Sequence, residues 1–141
     1  MTSEKNFPAQ ARTRVRSQTL VLWDFPRPDV ARLLSPNGRA HWAAKRKARL
    51  SVMDHVVVAG ITSGLKVMWG GMVTLYPTFV YPDHRKRDDD NLATGVMKAV
   101  RDSLVQAQWL EADDLEHLRQ MPVEVRVEKG HRSLELRFEI D

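Results

Sequence analysis

Val123-Glu124-Val125-Arg126-Val127-Glu128-Lys129-Gly130-His131-Arg132-Ser133-Leu134-Glu135-Leu136-Arg137-Phe138-Glu139-Ile140 alternates apolar and polar residues on both sides of a glycine. A period of two belongs to a strand, because successive side chains leave a pleated backbone on opposite faces. The stretch predicts two strands, each with one buried and one solvated face, joined as a hairpin through Gly130. Two further strand-like runs lie upstream. Thr19-Leu20-Val21-Leu22-Trp23 is closed by Asp24-Phe25-Pro26-Arg27-Pro28, whose prolines exclude helix and interior strand. Residues 72–81 are rich in β-branched and aromatic side chains, with Pro77 predicting a sheet edge or a bulge.

Between these runs the period changes to that of helices. After the turn chemistry of Ser35-Pro36-Asn37-Gly38-Arg39, a helix is expected over about residues 40–63. Its expected apolar face is Trp42, Leu50, Met53, Val57 and Ile61, and Gly64 is its expected stop. Lys45, Arg46, Lys47 and Arg49 crowd its first half, where the helix dipole disfavours cations, an arrangement that invites an external anion. A second helix is expected from about residues 88–91 to 106, with Leu92, Val96, Val100 and Leu104 on one side and Met97 and Ala93 beside them. On another face Asn91, Lys98 and Asp102 form a column. Strand, helix, strand, helix and two strands give an α+β domain: a mixed β-sheet with two main helices packed on one face. Residues 1–16, polar and basic, read as a flexible tail, and residues 17–141 as a single domain.

The chain has 141 residues, 43% hydrophobic and 28% charged, with no cysteine. That excludes disulfides, thiolate metal sites and a cysteine nucleophile, so a metal would be held by oxygen or imidazole. The five histidines show no paired zinc spacing. There is no GxGxxG or GxxxxGK[ST] loop and no GxSxG elbow, so no nucleotide cofactor is expected. No apolar run approaches a membrane span, and Met1-Thr2-Ser3-Glu4-Lys5-Asn6 lacks the apolar core of a signal peptide, so the expected location is cytoplasmic or nucleoid-associated. Within a net charge of +4, residues 1–50 hold eleven Lys/Arg against three Asp/Glu, which makes the first third basic and the remainder acidic.

The acidic part opens abruptly in His84-Arg85-Lys86-Arg87-Asp88-Asp89-Asp90-Asn91. Adjacent carboxylates repel, and a divalent cation offsets that repulsion. Capping and the dipole account for one or two acids at a helix start, but not for three. In extended backbone Asp88 and Asp90 point the same way and converge on one hard cation, while Asp89 points elsewhere. Arg85, Lys86 and Arg87 suit phosphate. A further ligand is available from Asp113 or Asp114, either by the chain returning along the second helix or from a neighbouring subunit.

Pro82-Asp83 through Asp88-Asp89-Asp90-Asn91-Leu92, then Lys98-Ala99-Val100-Arg101-Asp102-Ser103-Leu104, then Asp113-Asp114, resemble in order the motifs of the RusA family of Holliday junction resolvases. Ser35-Pro36-Asn37-Gly38-Arg39-Ala40-His41-Trp42 resembles the family's Pro-Asn motif, and the similarity spans roughly residues 18–140. The resemblance implies a RusA-like fold and a homodimeric, Mg²⁺-dependent endonuclease, with Mn²⁺ able to substitute, that nicks opposing strands of branched double-stranded DNA symmetrically. It implies Asp88, Asp90 and Asp114 (or Asp113) as metal ligands and Lys98 at the phosphate or leaving group. Asn37, Arg39, Lys45, Arg49, Arg85, Lys86 and Arg87 would then contact DNA. Two features depart from the pattern: Thr94 stands where many members carry the lysine, and Glu111-Ala112 lengthens the step from Trp109 to the double acid. The residues also admit a non-catalytic basic DNA-binding module, or a metal-dependent nuclease for flaps or single strands.

Overall fold

The computed structural model describes residues 16–35, 41–84 and 92–141. The elements run β1 (Ser17–Trp23), α1 (Pro28–Leu34), α2 (Trp42–Ser63), β2 (Val73–Tyr81), a π-helical turn (Leu92–Val96) leading into α3 (Met97–Gln106), β3 (Leu118–Gln120), β4 (Glu124–Val127) and β5 (Ser133–Ile140). The fold is α+β, with a five-stranded mixed sheet and three α-helices among the described residues. One sheet face, carrying Leu20, Leu22, Leu75, Phe79, Leu134, Leu136 and Phe138, shares a single core with Val52 and Val56 of α2 and Val100 and Leu104 of α3. The other face presents Thr19, Tyr76, Thr78, Glu135 and Arg137 around an open cleft of about 400 Å³.

The expected hairpin does not form. Both strands exist, but β5 pairs antiparallel with β1 on one side and β2 on the other, while β4 pairs parallel with the far edge of β2. Burial explains the choice. Leu134, Leu136 and Phe138 are fully buried in β5, a central strand, whereas Val125 of β4 is 41% exposed at the edge. Residues 128–132 step over the end of β2, a lateral distance of about 10 Å that a segment of this length spans easily.

Pro77 is not on an edge strand, because β2 has neighbours on both sides. Val73 N–H donates to His117 O (2.9 Å) and Met121 N–H to Leu75 O (2.8 Å), so the odd residues of β2 turn their main chain toward β3 and β4. Pro77, lacking an N–H, therefore faces the interruption between β3 and β4 at Met121-Pro122-Val123, where no donor is required. The bulge lies in the neighbouring strand.

Helix α2 forms over the expected residues, with His41 Nδ1 accepting from Ala43 N–H (3.1 Å) at its start. It ends at Gly64, in the left-handed region at φ 73°. Its buried face differs from the expected one. Ala48, Val52, Val56 and Gly60 are buried, while Trp42, Leu50 and Ile61 are 68%, 46% and 69% exposed. Close packing selects the small residues: a Cβ on Gly60 would sit 2.3 Å from the Trp109 ring. The prolines likewise do not exclude helix after Phe25, since Pro28 occupies the first turn of α1, where a missing N–H costs nothing. Helix α3 ends where expected and buries Met97, Val100 and Leu104, with Val96 buried in the turn before it. The expected start of the second helix at residues 88–91 lies outside the described residues, as do the tail at 1–15 and the turn at 36–39.

Candidate functional site

Strand β2 delivers the chain to Pro82, Asp83 and His84, and the described chain resumes at Leu92 in the π-helical turn. Arg85, Lys86, Arg87, Asp88, Asp89, Asp90 and Asn91 lie outside the described residues, as do Asn37 and Arg39. What the structure places is the other half of the expected constellation: Lys98, Asp102, Asp113, Asp114, Lys45 and Arg49.

Lys98 and Asp102 lie one turn apart on α3, Nζ to Oδ1 3.4 Å, both well exposed. The expected column is therefore an ion pair in its described part. Asp102 also lines a groove of about 280 Å³ between α2 and α3, together with Arg46, Arg49, Leu50, Met53, Ala99, Ser103 and Gln106. Arg46 and Arg49 of α2 and Asp102 of α3 thus face a common groove. Lys45 is half-buried on the same stretch of α2.

The double-acid loop returns along its own helix. Gln108 takes a left-handed conformation (φ 68°), turning the chain at the end of α3. Trp109 Nε1–H then donates to Leu65 O (3.1 Å), and Met68 N–H to Trp109 O (2.8 Å), anchoring the loop beneath the end of α2. Asp113 reaches back to the middle of α3, with its Oδ2 3.9 Å from Arg101 Nε. Arg101 also donates to Gln120 Oε1 of β3. The loop thus turns back as far as the middle of α3, while the start of the second helix, toward which the sequence raised two routes, lies outside the described residues.

Asp114 is held differently. Its Oδ1 accepts from Glu116 N–H (3.0 Å) and lies 2.6 Å from His117 Nδ1, while its carbonyl accepts from Leu118 N–H (2.9 Å). The hydrogen bond to His117 holds the Asp114 carboxyl below its usual range. The same bond raises His117, aided by the charges of Asp114 and Glu111. Glu111 Oε1 lies 3.9 Å from His117 Nε2 and accepts from Gly70 N–H (3.4 Å). His117 is one of the five histidines without paired zinc spacing, and the sequence expectation gives it no role. The signal was its place three residues after Asp114, within reach across a single turn.

Among the described residues no three His, Cys, Asp or Glu side chains form a group able to hold a metal ion. The donors that are present nonetheless suit Mg²⁺: Asp113 and Asp114 are partly exposed carboxylates, and Asp114 Oδ2 is not used in the bonds to His117 and Glu116. Among the described residues no helix is long and apolar enough to cross a membrane. No protein-family model matches the chain, and no curated protein matches it.

Proposed function

We propose that the chain is a Mg²⁺-dependent, structure-selective endonuclease that resolves four-way DNA junctions by paired symmetric nicks as a homodimer, in the manner of the RusA family. The observation that carries this reading is the return of the double-acid loop along α3, which leaves carboxylates beside the helix that bears Lys98. The motif order along the chain and the basic first third support it further. A cytoplasmic, nucleoid-associated location accords with a DNA substrate.

In this reading Asp88, Asp90 and Asp114 hold Mg²⁺, with Asp113 as the alternative to Asp114. The bound ion supplies Lewis acidity toward the scissile phosphate and a lowered pKa for the attacking water. His117 keeps Asp114 ionised and fixes one of its oxygens, so that Oδ2 remains for the donor set. Arg85, Lys86 and Arg87 grip the phosphate backbone, while Lys98 offsets charge on the phosphate or leaving group. Asn37, Arg39, Lys45 and Arg49 extend the contact over α2.

The test is a synthetic four-way junction incubated with protein and Mg²⁺, alongside Asp90→Asn. Paired nicks by the wild type and none by the variant are expected. Binding without nicking would leave a basic DNA-binding module, and equal cutting of flaps and junctions would leave a nuclease without junction preference. Undiminished cutting by Asp90→Asn would sink the site assignment.

A further inference from the structure

We propose that the end of the sheet where β1, β2 and β4 finish and β5 begins is a second DNA-contact site, at which Arg132 takes a backbone phosphate and Trp23 stacks on a base left uncovered at the branch point. Register brings these residues together. Trp23 and Val80 both pair with Ser133, and Tyr81, the last residue of β2, pairs with Val127. With neighbouring strands about 4.8 Å apart, Trp23 stands about 10 Å from the exit of β2. There the chain passes to Pro82-Asp83-His84 and on to the basic run. The inference rests on the DNA substrate of the proposed function and not on its metal chemistry.

Arg126 and Arg137 of the same sheet are neutralised by Glu135 and Glu139. The guanidinium of Arg132 instead lies over the Tyr81 ring, 5.8 Å from its centroid, and among the described residues no carboxylate pairs with it. Its Nε is buried without a hydrogen-bond partner. A cation supported by an aromatic face and left without a counter-ion suits a phosphate, which its planar fork of donors matches. Lys129, exposed in the turn before β5, adds positive charge. Trp23 is 58% exposed, and its ring is held edge-on by His131 at 5.5 Å and 64°. His131 Nε2 lies 3.6 Å from Glu128 Oε1, and Glu128 accepts from Arg126 Nε (2.6 Å). The ring is thus positioned before anything binds, which lowers the ordering cost of stacking. Roughly three nucleotide steps of about 3.4 Å span the distance from Arg132 over Tyr81 to Trp23, so one strand reaches both. Within a duplex arm each base face is covered by the next pair, whereas a branch point uncovers faces, so the tryptophan favours the branch.

Fluorescence anisotropy in EDTA tests it, on a synthetic four-way junction and a linear duplex of equal length, with the wild type, Trp23→Leu, Trp23→Phe and Arg132→Met. Circular dichroism and urea midpoints confirm that each variant folds. Leucine keeps an apolar side chain at the strand end and removes the aromatic face, while methionine keeps an unbranched stem beside Tyr81 and removes the charge. Trp23→Leu should weaken junction binding about fivefold or more and leave duplex binding within about twofold, with Trp23→Phe recovering most of the loss. Arg132→Met should lower the salt slope on both DNAs by about one counterion. Equal losses on junction and duplex, or no loss in Trp23→Leu, overturn the stacking platform. An unchanged slope in Arg132→Met overturns the phosphate contact. A wild type that binds the junction but never nicks it with Mg²⁺ ends the endonuclease reading alone, whereas one that binds neither DNA overturns both.

Discussion

His117 Nδ1 and Asp114 Oδ1 lie 2.6 Å apart, a charge-assisted contact at the mouth of β3 that links the acidic loop to the sheet. The raised His117 contributes stability that is fully present below its ordinary value of 6.5 and lost as pH rises through its folded value. The lowered Asp114 contributes stability present above its ordinary value of 3.8 and lost as pH falls through its folded value. The pair's contribution is thus full between 3.8 and 6.5 and declines beyond either end toward the folded values. An imidazole ¹⁵N titration should place His117 above 6.5, and Asp114→Asn should bring it down. No movement in Asp114→Asn would mean that Glu111, not Asp114, governs the ring.

Gly95, in the π-helical turn, is pressed against the end of α1: a Cβ there would lie 2.1 Å from Leu34 O. Backbone cannot swing aside as a side-chain tip does, so Gly95→Ala must displace α1 or unwind the turn. Gly60 meets the Trp109 ring instead, a neighbour with some freedom. Both substitutions overpack, with a cost of about 1–3 kcal/mol, and Gly95→Ala belongs at or above the upper end. Urea unfolding checks the order. Equal or inverted costs would contradict the distinction between a backbone and a side-chain neighbour.

The two faces of α2 give a further contrast. Val56 is fully buried, whereas Ile61 is 69% exposed. Val56→Ala should destabilise by about 2 kcal/mol through lost burial and a residual cavity. Ile61→Ala should stay within about 0.5 kcal/mol in the monomer. Thermal or urea unfolding of both variants would decide which face packs inward.

Local periodicity made the strands and helices readable from the sequence, and pairing was where the reading failed. Alternation over residues 123–140 specifies two strands with the right faces, yet nothing local says that β2 inserts between them. That choice depends on which strand buries more apolar surface once all are present. Helix α2 carries two apolar stripes, and the bulky one was the natural choice for the core. The winning stripe is the small one, because Gly60 must admit Trp109, a contact 49 residues distant that no local period encodes. Strand β3 is too short for alternation to register. In the candidate site, the Lys98–Asp102 column followed from helical spacing alone. The Asp113 return did not, because it depends on the left-handed turn at Gln108, a residue type with no special preference for it.

Lys98 bears on the proposed activity through Asp102. The carboxylate 3.4 Å from its ammonium competes with any phosphate for that charge, and both groups are exposed to solvent. Asp102→Asn should release Lys98, tighten binding of a four-way junction and steepen its salt dependence by about one counterion. Lys98→Gln should do the reverse, and Asp102→Asn combined with Lys98→Gln should match Lys98→Gln alone, since there is then no charge to release. Arg49→Ala, on the opposite wall of the groove that Asp102 lines, should lower the slope by about one as well. Fluorescence anisotropy over a salt series in EDTA reads all four without cleavage. If Asp102→Asn leaves both affinity and slope unchanged while Arg49→Ala lowers them, the DNA path follows α2 and bypasses Lys98. In that case Lys98 serves the helix surface, and the proposed site loses its lysine.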